Sequence, residues 1–154
     1  MNRKILHNSN GYTLIELMVV VVTLGILATL ATGSFLSFQA KSKQAEAKSN
    51  ISSIAESAIA YNAEYGTYVA DWTGIGWQAQ GTSRYRYWYN GLAAAGTPTN
   101  ADAGVDYSDP GSVVTVNTFI VGSVGNIDRD SSTDQWLYNQ DRVFTNLQND
   151  VSTP

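Results

Sequence analysis

From Leu17 to Ala40 the chain carries no charged residue. Leu17, Met18, Val19, Val20, Val21, Val22, Leu24, Ile26, Leu27, Leu30, Phe35, Leu36 and Phe38 all fall within this run. A bilayer core needs about 20 mostly apolar residues in helical form, and the run supplies them. After Phe38 the pattern becomes amphipathic. Ala40, Ala47, Ile51, Ile54, Ala58, Tyr61 and Tyr65 recur at intervals of three, four or seven, which marks one face of an α-helix. Lys41, Lys43, Glu46, Lys48, Glu56 and Glu64 supply charge, and Gly66 offers a C-terminal cap. The pattern predicts one helix from about residue 12 to about residue 65. Its first half suits an apolar environment, and its second half suits packing on a sheet.

Beyond Gly66 the period changes from helical to strand-like. Residues 67–82 read as a connecting loop with Gly74, Gly76 and Gly81. From Ser83 to Tyr89 the residues alternate, with Arg84, Arg86 and Trp88 on one face and Tyr85, Tyr87 and Tyr89 on the other. Residues 90–112 are Gly, Ala, Asn, Asp and Pro with little periodicity, a surface loop. Val113–Val124 reads as a second strand, Gln135–Asn139 as a third and Arg142–Asn146 as a fourth. The expected fold class is therefore α+β: a long N-terminal helix packed on a small antiparallel sheet. The segments are 1–11, 12–40 for the hydrophobic helix, 41–66 for its amphipathic continuation, and 67–154 for a β-rich globular head.

Composition removes several classes of chemistry. The 154 residues contain no cysteine, so there is no disulfide framework and no thiolate metal or redox site. The single histidine, His7, lies in the basic N-terminal stretch, which rules out a Ser-His-Asp triad or a His-rich zinc site downstream of it. Net charge is −4, and removing residues 1–11 takes away Arg3 and Lys4 and no acid, leaving seven basic against thirteen acidic residues. That balance argues against nucleic acid as a partner, which wants a basic face. No Gly-rich phosphate loop is present, and the aromatic run from Arg84 to Tyr89 reads as a packed sheet face rather than a stacking platform.

Residues 1–11, MNRKILHNSNG, are short and basic. Arg3 and Lys4 ahead of the apolar run put the N-terminus on the cytoplasmic side and the residues past about 40 outside. A cleaved secretory signal has an apolar core of about 7–15 residues and a small-residue cut site. Here the core is longer, although Ala31 and Gly33 imitate such a site, and an uncut single-pass anchor is the other reading. Glu16 sets the segment apart. An ionisable group inside a membrane segment usually has a partner, and no basic side chain sits on the helix within reach of Glu16, the next lysine or arginine downstream being Lys41. A cut after Gly11 would create an α-amino group on Tyr12, one helical turn before Glu16.

Gly11-Tyr12-Thr13-Leu14-Ile15-Glu16-Leu17 resembles the prepilin processing motif of type IV pilins and type II secretion pseudopilins. The resemblance implies a prepilin peptidase that cuts between Gly11 and Tyr12 and methylates the new N-terminus. It implies that Glu16 then pairs with the terminal amine of an adjacent subunit in a helical homopolymer. It further implies an inner-membrane precursor, an assembly platform with its ATPases, and no catalysis by the chain itself. A major pilin serving adhesion, twitching or DNA uptake, a minor pilin and a secretion pseudopilin all remain open, as does a membrane-anchored or secreted binding protein or enzyme. Tyr12 departs from the family's usual phenylalanine but keeps the ring. Where many members have proline, this chain has Gly33, with Gly25 further up. Glycine weakens a helix by about 1 kcal/mol relative to alanine, so the helix between Gly25 and Gly33 is expected to unwind in a filament. Gly76-Trp77, Arg84-Tyr85-Arg86-Tyr87, Gly125-Asn126-Ile127-Asp128 and Asp134-Gln135-Trp136 are similar to a cysteine-free group of pilins from delta-class proteobacteria.

One segment has metal-like spacing. Asp128, Asp130, Ser132 and Asp134 place oxygen ligands at every second residue, like the start of a calcium loop. An EF-hand needs glycine sixth and glutamate twelfth from Asp128, and the chain has Thr133 and Asn139 there. The choice is between a looser calcium site and an acidic turn held by its own hydrogen bonds. No other cofactor is expected.

Overall fold

A computed structural model describes residues 11–96, 98, 105–127 and 131–151. The chain divides into two compact units, Met1–Leu36 and Ser37–Pro154. Helix α1 covers Leu14–Tyr65 and is unbroken through Gly25 and Gly33. In the first unit its side chains have no core to join. Every large hydrophobic side chain from Leu14 to Leu30 is more than half exposed. The threonines of this stretch return their hydroxyls to their own helix: Thr23 to the Val19 carbonyl at 3.0 Å, Thr29 to Ile26 at 2.8 Å and Thr32 to Ala28 at 2.9 Å. Each hydroxyl thus carries its own partner into an apolar medium, where an unpaired one would be costly.

In the second unit α1 buries Gln44, Ala47, Ile51, Ile54, Ala55 and Ala58, a stripe at helical spacing. The expected stripe included Tyr65, which is instead exposed and stacks on Tyr61 at 4.5 Å. Gly66, at φ 70°, ends the helix and donates its N–H to the Asn62 carbonyl at 2.8 Å. A left-handed residue just past a helix is where glycine is favoured.

The sheet has strands β1 Tyr85–Tyr89, β2 Leu92–Ala93, β3 Val113–Val114, β4 Phe119–Gly125, β5 Asp134–Asn139 and β6 Phe144–Gln148. All pairings are antiparallel, in the order β2-β1-β4-β5-β6, with β3 paired to β4. Tyr85, Tyr87 and Tyr89 point inward and form the core with Ile51, Ile54, Phe119 and Val121. Burial pushes the Tyr87 hydroxyl up and the Tyr89 hydroxyl up to about 12. Both hydroxyls have partners, Asn50 Nδ2 donating to Tyr87 at 2.7 Å and Tyr89 donating to the Tyr68 carbonyl at 2.6 Å. Gly125 lies under the Tyr85 ring, where a Cβ would meet a ring carbon at 2.5 Å, so only glycine fits.

The strand boundaries differ from those expected. Val113–Val124 is two strands, because Thr115 and Thr118 close a turn between them, with Thr115 N–H donating to the Thr118 carbonyl at 2.8 Å. The segment read as loop from residue 90 begins with a hairpin: Asn90 and Gly91 have φ of 53° and 70°, and Tyr89 pairs with Leu92. The last strand starts two residues late, since Arg142 takes a positive φ of 63° in the turn before it.

Candidate processing and assembly site

The first N–H groups of any helix lack partners in a preceding turn. At the start of α1 this need is met by Thr13 and Glu16, three residues apart. Glu16 N–H donates to Thr13 Oγ1 at 3.3 Å, and Thr13 N–H donates to Glu16 Oε2 at 2.8 Å. The Thr13 hydroxyl also donates to Oε2, at 2.9 Å. This reciprocal pair is a capping box, and it sets a carboxylate at the positive end of the helix dipole. Both bonds to the carboxylate end on Oε2; among the described residues Oε1 accepts none. Glu16 is therefore oriented by its own chain while one oxygen stays available to another donor.

The expected scissile junction lies directly before this cap. Gly11 and Tyr12 are exposed, and a Cβ built on Gly11 would meet nothing within 4 Å. Downstream, α1 is long and apolar enough to cross a membrane, with a mean hydropathy of 2.5 over an 18-residue window. Glu16 is the one ionisable carboxylate in that apolar stretch.

Residues 6–32 match the family model of the prokaryotic N-terminal methylation motif. The chain is also similar to the type IV major pilin protein PilA of Myxococcus xanthus (strain DK1622), at 40% identity over 79 residues. Both likenesses agree with the resemblance of Gly11–Leu17 to the type IV pilin processing motif. The alignment covers 51% of this chain and 36% of the relative, so the chain matches about a third of that protein's length. The long helix and the antiparallel sheet are those of an α+β pilin fold.

The structure describes two residues of the metal-like segment, Ser132 and Asp134. Asp128 and Asp130 lie outside the described residues. Ser132 donates its hydroxyl to Asp150 Oδ1. Asp134 is fully buried and is surrounded by donors. Tyr85 OH reaches its Oδ2 at 2.7 Å and Trp136 Nε1 at 2.5 Å, while Gln44 Nε2 reaches Oδ1 at 2.9 Å and Asn146 Nδ2 at 3.2 Å. Burial, and then the Asp134 carboxylate itself, push the Tyr85 hydroxyl far above the ordinary tyrosine range, so it stays a donor. Among the described residues no three of His, Cys, Asp and Glu gather as a metal-holding group.

Two features escaped the reading of the sequence. The capping box is legible as Thr-x-x-Glu ahead of an apolar run, a local signal distinct from the Glu16 charge. Asp150 carries no local signal. Nearly buried, it accepts the Ile127 N–H at 2.8 Å and the Ser132 hydroxyl, and so holds both ends of the β4–β5 connection from the far C-terminal segment.

Proposed function

We propose that this pilin is the precursor of the major subunit of a type IV filament. The prepilin peptidase cuts it between Gly11 and Tyr12 and methylates the Tyr12 amine. The precursor waits in the inner membrane with its head outside, and the assembly platform and its ATPases add it to a homopolymer built on the apolar helix. The observation that carries this reading is the oriented Glu16 carboxylate, with an unused oxygen, at the head of an apolar helix that has no covering core. The likeness to a major pilin favours the major role over that of a minor pilin or pseudopilin. A signal-peptidase cut near Gly33 would fall inside an unbroken helix. In the filament the stretch between Gly25 and Gly33 is where the helix would loosen. The subunit's part in adhesion, twitching or DNA uptake is mechanical rather than catalytic.

Replacing Gly11 with tryptophan should block the cut, because a bulky side chain would stand at the scissile bond. Immunoblots should show the longer precursor retained in the membrane fraction and no subunit in sheared surface material. Normal surface filaments from this variant would remove the peptidase from the account.

Calcium at the β4–β5 connection is a separate proposal, and the surroundings of Asp134 weigh against that residue as a ligand. Four N–H or O–H groups aimed at its oxygens present positive ends to an incoming cation. An extracellular module would bind at roughly 10⁻⁴–10⁻³ M and be stabilised by mass action. The detergent-solubilised subunit should melt at the same temperature in millimolar calcium as in chelator. A clear rise with calcium that Asp128→Asn abolishes would assign the ion to the segment from Asp128 to Asp134.

A further inference from the structure

Within the second unit, a groove of about 370 Å³ is lined by Trp72, Thr73, Trp77, Gln78, Ala94 and Ala95 among its walls. A smaller hollow of about 190 Å³ shares Gln78, Ala94 and Ala95 with it, which makes the depression longer than one ring. The indoles of Trp72 and Trp77 stand 5.4 Å apart, tilted at 45°. Both ring N–H groups are already used, Trp72 donating to the Leu92 carbonyl at 3.1 Å and Trp77 to Ser53 Oγ at 2.7 Å. The rings also rest on the core, Trp72 against Tyr89 and Trp77 against Tyr87. They are therefore fixed in place, and what they offer a ligand is π-surface rather than hydrogen bonds. Hydrogen bonding falls to Thr73 and Gln78, which are exposed and whose side chains have no partner among the described residues. The alanines opposite leave the slot open.

We propose that this groove binds an uncharged polysaccharide, with sugar rings on Trp72 and Trp77 and hydroxyls on Thr73 and Gln78. Three properties select that class. Fixed aromatic rings suit the C–H faces of a pyranose. Neutral amide and hydroxyl groups suit its hydroxyls. No charged residue lines either hollow, and the chain is net negative, which disfavours phosphate, uronate and nucleic acid. The proposal rests on the reading that the head faces outside. Binding by the subunit needs no filament, so its failure is distinct from failure of assembly.

The test titrates the detergent-solubilised full-length subunit, in a detergent without a sugar headgroup, and follows tryptophan emission. The probes are the neutral hexamers cellohexaose, chitohexaose and maltohexaose, and the anionic hexamer of galacturonate. At least one neutral hexamer should give a saturable change, and the anionic one a much weaker response. Trp77→Ala should raise Kd about tenfold, as expected for losing one aromatic contact surface. Because Trp77 also touches the core, Ala95→Trp is the companion variant: it fills an exposed part of the groove without removing a core contact, and should abolish binding with an unchanged melting temperature. No saturable response from any neutral hexamer, equal binding of the anionic hexamer, or full binding by Ala95→Trp would each overturn the proposal.

Discussion

Cells making Glu16→Ala subunit should accumulate cleaved, membrane-bound pilin and shed few or no filaments. The change makes the helix head more apolar, so insertion survives, and it leaves the Gly11-Tyr12 junction intact. On the proposed assembly, what it removes is the acceptor for the Tyr12 amine of a neighbouring subunit. Packing of apolar helices alone does not fix their axial register, whereas a charge pair does. In an apolar core a half-made pair typically costs on the order of 3–5 kcal/mol. The capping box supplies a competing explanation, because Glu16→Ala also loses the bond to Thr13 N–H. Capping is worth only about 1 kcal/mol, and Glu16→Gln separates the two effects. Glutamine serves in a capping box but carries no charge. Glu16→Gln should therefore keep the helix start and still be nearly as defective in sheared-fibre immunoblots. Normal fibre yield from both variants would leave Glu16 as an interfacial carboxylate and nothing more.

Asp134→Ala should strike the other unit. Its carboxylate joins its own strand β5, where Trp136 also donates to it, to α1 through Gln44, to β1 through Tyr85 and to β6 through Asn146. Removing it strands four donors in a buried site. Hydrogen bonds to a charged group are worth about 1.5–3 kcal/mol each and are not additive, so a loss of about 3–5 kcal/mol is expected. Against a total stability of roughly 5–15 kcal/mol, that should lower the melting temperature by roughly 10–20 °C. Asp134→Asn keeps the shape but turns an N–H₂ toward some of the donors, and should lose about half as much. Circular dichroism melts of the solubilised subunits check both. An Asp134→Ala protein that melts within a few degrees of the parent would mean the network is not what joins these elements.

The elements most legible in the sequence were those whose signals are local and repeated. The uncharged run from Leu17 to Ala40, the stripe through Ala47, Ile51, Ile54 and Ala58, and the cap at Gly66 all reappear in α1. The inward tyrosines of β1 were legible because a strand alternates with a period of two. Turn chemistry was less well read. Asn90-Gly91 is a strong hairpin signal, but the loop-like composition after it obscured the two-residue β2. The donors around Asp134 were not legible for a different reason. The spacing of Asp134 from Asp128 and Asp130 suggested a ligand, whereas its donors come from Gln44, Tyr85 and Asn146, distant in sequence. The Trp72–Trp77 groove likewise needs β2 to bring Ala94 opposite the rings.

The central claim is that residues 1–11 are removed and that the chain polymerises from Tyr12. Mass spectrometry of the subunit from sheared surface filaments tests it most directly. The account predicts a chain beginning at Tyr12 with one methyl group on its amine. A subunit that retains residues 1–11, or one that begins just after Gly33, would contradict it.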